Sequence, residues 1–113
     1  MKHSMEEMTR AGCTTPRGIR HWEDIGLLGT VERTTGGTRR YSTEQLAKAH
    51  IIAAAQFGGW NLDDVAGMLN EWNAEAHEAI LKRLFDQSRA AIRLAELLPP
   101  PPADEPPVLE FDL

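Results

Sequence analysis

The 113-residue sequence contains one cysteine, Cys13. No disulfide framework and no Cys-x-x-Cys metal site can therefore form within one chain. No apolar run approaches the roughly 18 residues of a membrane-spanning helix. Met1-Lys2-His3-Ser4 leads into acidic residues and not into the apolar centre of a signal peptide. Walker, GxGxxG, HExxH and GxSxG patterns are all missing. These absences predict a cytoplasmic protein that is no enzyme, holds no cofactor and no metal, and has no business with a membrane. A chain this short supports one modest core, with about two-thirds of its unfolded surface buried on folding.

Positive charge is also scarce overall. Twelve Lys and Arg stand against seventeen Asp and Glu, a net charge of −5. Taken whole, that balance argues against a nucleic-acid binder. It averages two unlike halves, however. Residues 1–60 carry eight basic against six acidic side chains; residues 61–113 carry four against eleven. Five of the eight lie in two short stretches: Arg17 and Arg20, then Arg33, Arg39 and Arg40.

Helix boundaries are legible. Ser4-Met5-Glu6-Glu7 is a capping box, with Ser at N-cap and Glu at N3. Met5 and Met8 follow at helical spacing, and Gly12-Cys13 ends this first helix. Thr15 caps a second helix, with Pro16 at N1 where its missing N–H is not needed. That helix runs to about Asp24 and stops before Gly26-Leu27-Leu28-Gly29. Helix, tight turn, helix within about 20 residues is a helix-turn-helix arrangement. Residues 30–41 then read as a β-hairpin: Thr30 to Arg33 and Thr38 to Tyr41 around Gly36-Gly37. Ser42 to Gln45 form a second capping box, and Leu46, Ala49, Ala53 and Phe57 give the apolar stripe of a third helix. Asn61 caps a fourth, with Asp64 at N3 and Trp60–Val65 as a hydrophobic staple. Its inner face is Val65, Met68, Leu69 and Trp72.

From Asn73 to Leu98 nothing breaks a helix. The spacing predicts one helix of roughly 26 residues, about 39 Å long. Ile80, Leu84, Gln87, Ala91, Leu94 and Leu98 follow the 4- and 3-residue steps of a coiled-coil seam, with Leu81, Phe85, Ile92 and Ala95 alongside. Pro99 to Pro102 stop the helix.

The second helix points to function. Arg17 and Arg20 occupy its first turns, where the helix dipole disfavours cations by up to about 1 kcal/mol each. Arg17, Arg20 and His21 share one face at i, i+3, i+4. A phosphate would offset the mismatch, because guanidinium forks and a helix N-terminus both favour it. Gly18 is unfavourable inside a helix by about 1 kcal/mol, which suggests close approach of another group. Blander readings stay open at this point. Arg17 and Arg20 could pair with Glu23, Asp24 or another surface acid. Tyr41 could be a core or turn residue, and the basic hairpin a solvated, charge-blunted edge.

Residues 4–72, about three-fifths of the chain, resemble the MerR-type winged helix-turn-helix transcription regulators. The residues that carry the likeness are Thr15-Pro16-Arg17-Gly18-Ile19-Arg20-His21-Trp22-Glu23-Asp24-Ile25-Gly26-Leu27-Leu28, then Gly36-Gly37-Thr38-Arg39-Arg40-Tyr41-Ser42. Two family tyrosines are His21 and Trp22 here; Cys13 stands where the family has Gly, and Gly18 where it has Thr. The resemblance implies a mainly α fold with a small β-hairpin wing: a DNA-binding domain over residues 1–72, a dimerisation helix over 73–98, and a Pro-rich acidic tail over 99–113. It implies DNA contacts from Thr15, Arg17, Arg20, His21, Arg33, Arg39, Arg40 and Tyr41, with Arg39 and Tyr41 at phosphates. It further implies an antiparallel homodimer through Ile80, Leu84, Gln87, Ala91, Leu94 and Leu98. Such a dimer would sit on a near-palindromic promoter operator, distort the DNA, and localise to the nucleoid.

Metal-sensing relatives use cysteines after the dimerisation helix, and this chain has none there. Ligand-binding relatives carry a further domain, for which the last 15 residues are too few. Cys13 reads as a small buried turn residue. The tail segment Val108-Leu109-Glu110-Phe111-Asp112-Leu113 alternates apolar and acidic residues. It reads either as a disordered end or as a docking or autoinhibitory motif for RNA polymerase, a protein partner or the chain itself. Two other classes remain at this stage. One is an excisionase-like architectural factor, which often lacks a long dimerisation helix. The other is a module that docks another regulator through its acidic tail.

Overall fold

The computed structural model describes residues 2–87 and 91–102. The tail motif at residues 103–113 lies outside the described residues. Strand β1 (Lys2–His3) precedes helices α1 (Met5–Gly12) and α2 (Pro16–Asp24). Strands β2 (Glu32–Arg33) and β3 (Arg39–Ser42) follow, then α3 (Thr43–Phe57), α4 (Leu62–Asn70), α5 (Ala74–Gln87) and α6 (Ile92–Leu97). The fold is mainly helical with a small antiparallel sheet.

Local chemistry fixes the boundaries. The Ser4 and Ser42 capping boxes are both formed, each closed by its N3 partner, Glu7 and Gln45. Thr15 Oγ1 accepts from the Gly18 N–H at 3.1 Å, and Asn61 Oδ1 from the Asp64 N–H at 2.9 Å. Each satisfies one of the unpaired donors at a helix start. The hairpin pairs Glu32 with Arg40 and Arg33 with Arg39. A third strand joins it: β1 pairs with β3 through Lys2–Ser42 and His3–Tyr41, giving the order β1-β3-β2. Lys2 Nζ reaches across to Glu32 at 2.8 Å.

The α1–α2 turn is tight. Gly12 is buried, and a Cβ there would stand 2.6 Å from the Trp22 ring, so the two helices meet through the missing side chain. Trp22 is buried. Gly18 has a similar cause: a Cβ would meet Thr14 Oγ1 at 2.1 Å. Cys13 closes α1 as its C-cap, in the left-handed region at φ 50°. Its side chain is exposed, so the expected buried role does not hold. What the position demands is backbone conformation, not small volume.

Helix α3 is the centre of the core. Ala49, Ile51, Ile52, Ala53, Ala54 and Ala55 are all buried. Almost its whole circumference is covered, by α1 and β3 on one side and α4, α5 and α6 on the others. Phe57, expected on the inner stripe, is 46% exposed at the helix end.

The second half departs from the single rod expected between Asn73 and Leu98. Helix α5 has 14 residues, and the six-residue α6 lies against both α5 and α3. The seam residues Ile80, Leu84, Ala91 and Leu98 are buried in the protomer's own core. Leu94 packs against that core, and the exposed Gln87 donates to the Gly58 carbonyl at 3.4 Å. The cause is the breadth of the apolar face. A narrow seam suits one partner helix, whereas a wide face closes on the nearest apolar surface, here the alanine-rich α3, whose small side chains allow close approach.

A non-glycine residue in the left-handed region is strained, and Gly is preferred at this helix-ending position. Cys13→Gly is therefore expected to stabilise the fold by about 0.5–1 kcal/mol, after the greater flexibility of unfolded Gly is counted. Urea denaturation checks this. An unchanged or lower midpoint would show that the turn is not under backbone strain.

Candidate nucleic-acid interface

Four of the basic residues named from the sequence, Arg17, Arg20, His21 and Arg39, line one cleft, while Arg33 and Arg40 are exposed on the hairpin. Helix α2 buries Ile19 and Trp22 and turns Arg17, Arg20 and His21 outward. No acid occupies its first turn. Arg17, Arg20, His21 and Asp24 line an open cleft of about 410 Å³ whose other wall is Arg39 of the wing. Arg17 and Arg20 form no ion pair among the described residues, so neither pairs with Glu23 or Asp24. Both side chains are exposed.

Glu23 does something else. Its carboxylate accepts from Arg39 Nε at 3.0 and 3.3 Å and from the Tyr41 hydroxyl at 3.4 Å. Both sides of the Arg39–Glu23 pair are largely buried, with side-chain exposures of 27% and 17%. The carboxylate thus joins the last turn of α2 to β3. Tyr41 was expected at a phosphate, but it is fully buried, with its hydroxyl directed at Glu23. It positions the wing and does not reach a ligand. The alternation of β3 explains this: Tyr41 faces the core, and its neighbour Arg40 is exposed.

The remaining wing residues lie outward. Arg33 is exposed and its Nη1 donates to the Gly37 carbonyl at 3.3 Å, bracing the hairpin tip. Gly37 itself sits at φ 86°. Thr15 is exposed, but its hydroxyl oxygen already serves as the α2 cap. Gln45, not singled out from the sequence beyond its capping role, is buried. Its Nε2 donates to the carbonyls of Leu28 and Thr30 at 3.0 and 2.9 Å. It thereby fixes the segment between α2 and the wing to α3. A Gln at a helix N3 position signals the cap it makes, and nothing local signals the loop it holds.

Other ionisable groups stand apart from this face. His50 is half-buried in a small cleft between α1 and α3, and burial holds its pKa below the usual value. His77 packs edge-on against Trp72, with ring centroids 5.8 Å apart. Among the described residues no three His, Cys, Asp or Glu side chains gather as metal ligands. No described helix is long and apolar enough to cross a membrane.

Two arginines on an open helix face, held beside a basic hairpin by a buried carboxylate, form a surface shaped for a polyanion. The sequence matches the family described as MerR HTH family regulatory protein over residues 4–72. The chain belongs to the MerR family. It is similar to the HTH-type transcriptional activator TipA of Streptomyces coelicolor, 35% identical over 92 residues that span 81% of this chain and 36% of TipA. It is similar to the nodulation protein NolA of Bradyrhizobium elkanii, 37% identical over 59 residues, 52% of this chain and 27% of NolA. With the ZntR homolog of Haemophilus influenzae, an HTH-type transcriptional regulator, it shares 32% identity over 89 residues, 76% of this chain and 65% of that protein. The chain thus spans about a third of the length of TipA and about a quarter of that of NolA. The fold resembles the crystal structure of a MerR-family transcriptional regulator from Bacillus cereus, with a TM-score of 0.60 at 23% identity, covering 85% of this chain and 69% of that one.

The joint between helix and wing can be read through Tyr41, the one tyrosine of the MerR-family chain. Burial raises its pKa to about 12, and the Glu23 charge adds to the rise while Arg39 opposes it. A raised pKa favours the protonated fold. The associated stability is fully present below pH 10 and is lost as pH climbs through about 12. Tyrosinate absorbance is expected to titrate near 12 in the native chain. In Glu23→Gln the midpoint should fall but stay above the free value, because burial persists. A native midpoint at the free value would mean that Tyr41 is not held as described.

Proposed function

We propose that this MerR-family chain is a sequence-specific double-stranded DNA-binding regulator of transcription and not an enzyme. It acts as a homodimer on a near-palindromic promoter operator. The observation that supports this best is the unpaired Arg17–Arg20 face of α2 beside the wing arginines. Helix α2 is nine residues long, and a helix about 10–12 Å across fits the roughly 12 Å width of the major groove. Arg20 and His21 face base edges or nearby phosphates, and Arg17 and Thr15 lie at the helix start. Arg33, Arg39 and Arg40 take phosphates along the backbone, with Tyr41 behind them as support. Residues 1–72 form the DNA-binding module, residues 73–98 the dimerisation region and residues 99–113 an appended tail.

Ile80, Leu84, Ala91 and Leu98 are buried within the protomer, so the dimer contact falls to what α5 and α6 still expose. Phe85 is 59% and Ile92 40% exposed, and both are large apolar side chains beside the seam. Bringing two recognition helices onto successive major grooves strains the duplex by several kcal/mol, which numerous phosphate contacts offset. Distortion of a promoter spacer in this way would present it to RNA polymerase. Such a regulator works in the cytoplasm, on the nucleoid.

Arg20→Ala is expected to weaken binding to the operator by about 1–3 kcal/mol, roughly 5- to 150-fold, with helical content unchanged. Arg40→Ala should lower affinity evenly across sequences and reduce the salt slope by about 1. Footprinting on the chain's own upstream region, followed by fluorescence anisotropy, measures both. Undiminished affinity in folded Arg20→Ala would remove α2 as the recognition helix. Phe85→Ser should shift sedimentation equilibrium toward monomer at micromolar concentration. A dimer of unchanged strength would place the interface elsewhere.

A further inference from the structure

We infer that residues 103–113 dock on the arginine cleft of α2 and compete with DNA for it. The inference rests on the DNA-binding reading above and concerns how that site is regulated. The segment carries Asp104, Glu105, Glu110 and Asp112 and no Lys or Arg, with Val108, Leu109, Phe111 and Leu113 between them. Charge favours one destination over the largest acidic one. The cleft between α4 and α5 is lined by Asp64, Glu71 and Glu75 and repels it. The cleft of Arg17, Arg20, His21 and Arg39, with Asp24 as its one carboxylate, attracts it, and Arg17 and Arg20 form no ion pair among the described residues. Carboxylates suit guanidinium forks as phosphates do.

The exit point of the chain makes this reachable. Pro99 sits in a small, mostly apolar cleft with Lys48, Ile51, Leu69 and Trp72. Lys48 and Leu69 also line the adjoining cleft, together with Ile25, Gly26, Leu27 and Gly29 of the turn after α2. Ile25 is 47% exposed there and offers an apolar seat at the end of α2. Eleven extended residues span about 36 Å, more than twice the roughly 14 Å length of α2. Tethering gives an effective concentration near millimolar, enough to populate contacts that would be weak between separate molecules. The tail thus lowers the fraction of chains with an open DNA face, and affinity falls by that fraction.

The test keeps the full chain and neutralises the tail as D104N/E105Q/E110Q/D112N. Binding to a mixed-sequence DNA duplex is expected to tighten about 5-fold at low salt, around 50 mM. The difference should shrink below about 2-fold near 300 mM, where screening weakens both contacts. Without DNA, the Arg17 and Arg20 Nε resonances should shift between the native and neutralised chains. Equal affinities overturn the inference. So does tighter binding with unmoved Arg17 and Arg20 resonances, because the gain would then come from net charge alone. Failure of both chains to bind DNA at low salt would instead overturn the DNA-binding reading beneath it.

Discussion

The carboxylate of Glu23 is the constraint on which the interface depends. It lies in the last turn of α2 and receives hydrogen bonds from Arg39 and Tyr41 of β3. Hydrogen bonds to a charged group are worth about 1.5–3 kcal/mol, and leaving a partly buried charge unpaired costs more than the pair gains. Its main effect is geometric. A helix and a two-stranded hairpin have few apolar contacts with which to hold a fixed angle. One carboxylate with directed donors from two residues supplies that angle. It also pairs with the partly buried Arg39, while Arg17 and Arg20 of the same cleft stay exposed.

Much of this was legible in the sequence, because capping is local. Ser4, Thr15, Ser42 and Asn61 each announce a helix through residues within four positions, and all four caps form. The hairpin is legible for the same reason, through Gly36-Gly37 and flanking β-formers. What escaped depends on distant partners. Strand β1 is two residues long and exists because β3 presents an edge to it. The sequence leaves Tyr41 open between the core and a DNA phosphate and says nothing of its link to Glu23, which depends on the pleat of β3 setting Tyr41 inward. Cys13 looked buried because it is small, yet its left-handed backbone is what the turn requires.

The fate of the 73–98 stretch follows from competition that periodicity does not encode. Ile80, Leu84 and Ala91 would serve equally on a coiled-coil seam or against α3. Heptad spacing states which side chains share a face and is silent about which surface covers them. Six buried residues within Ala49–Ala55 decide the matter inside one protomer. Their alanines let α5 and α6 approach closely, and the contact is intramolecular, so it loses no translational entropy on forming. Apolar side chains left over, Phe85 and Ile92, then define what remains for a second chain.

Helix α3 also packs against both the N-terminal elements and α4 to α6. Its first turn carries Ser42 and Gln45, which end β3 and hold the Leu28 and Thr30 carbonyls. Its second half carries the buried Ala53, Ala54 and Ala55, and the helix also contacts α5 and α6. The overall charge of −5 is compatible with DNA on the same grounds of separation. The arginine cleft is lined by Arg17, Arg20, His21, Asp24 and Arg39 and by no acid of α4 or α5, whose charges are screened through solvent. The local arrangement, held by Glu23, outweighs the total.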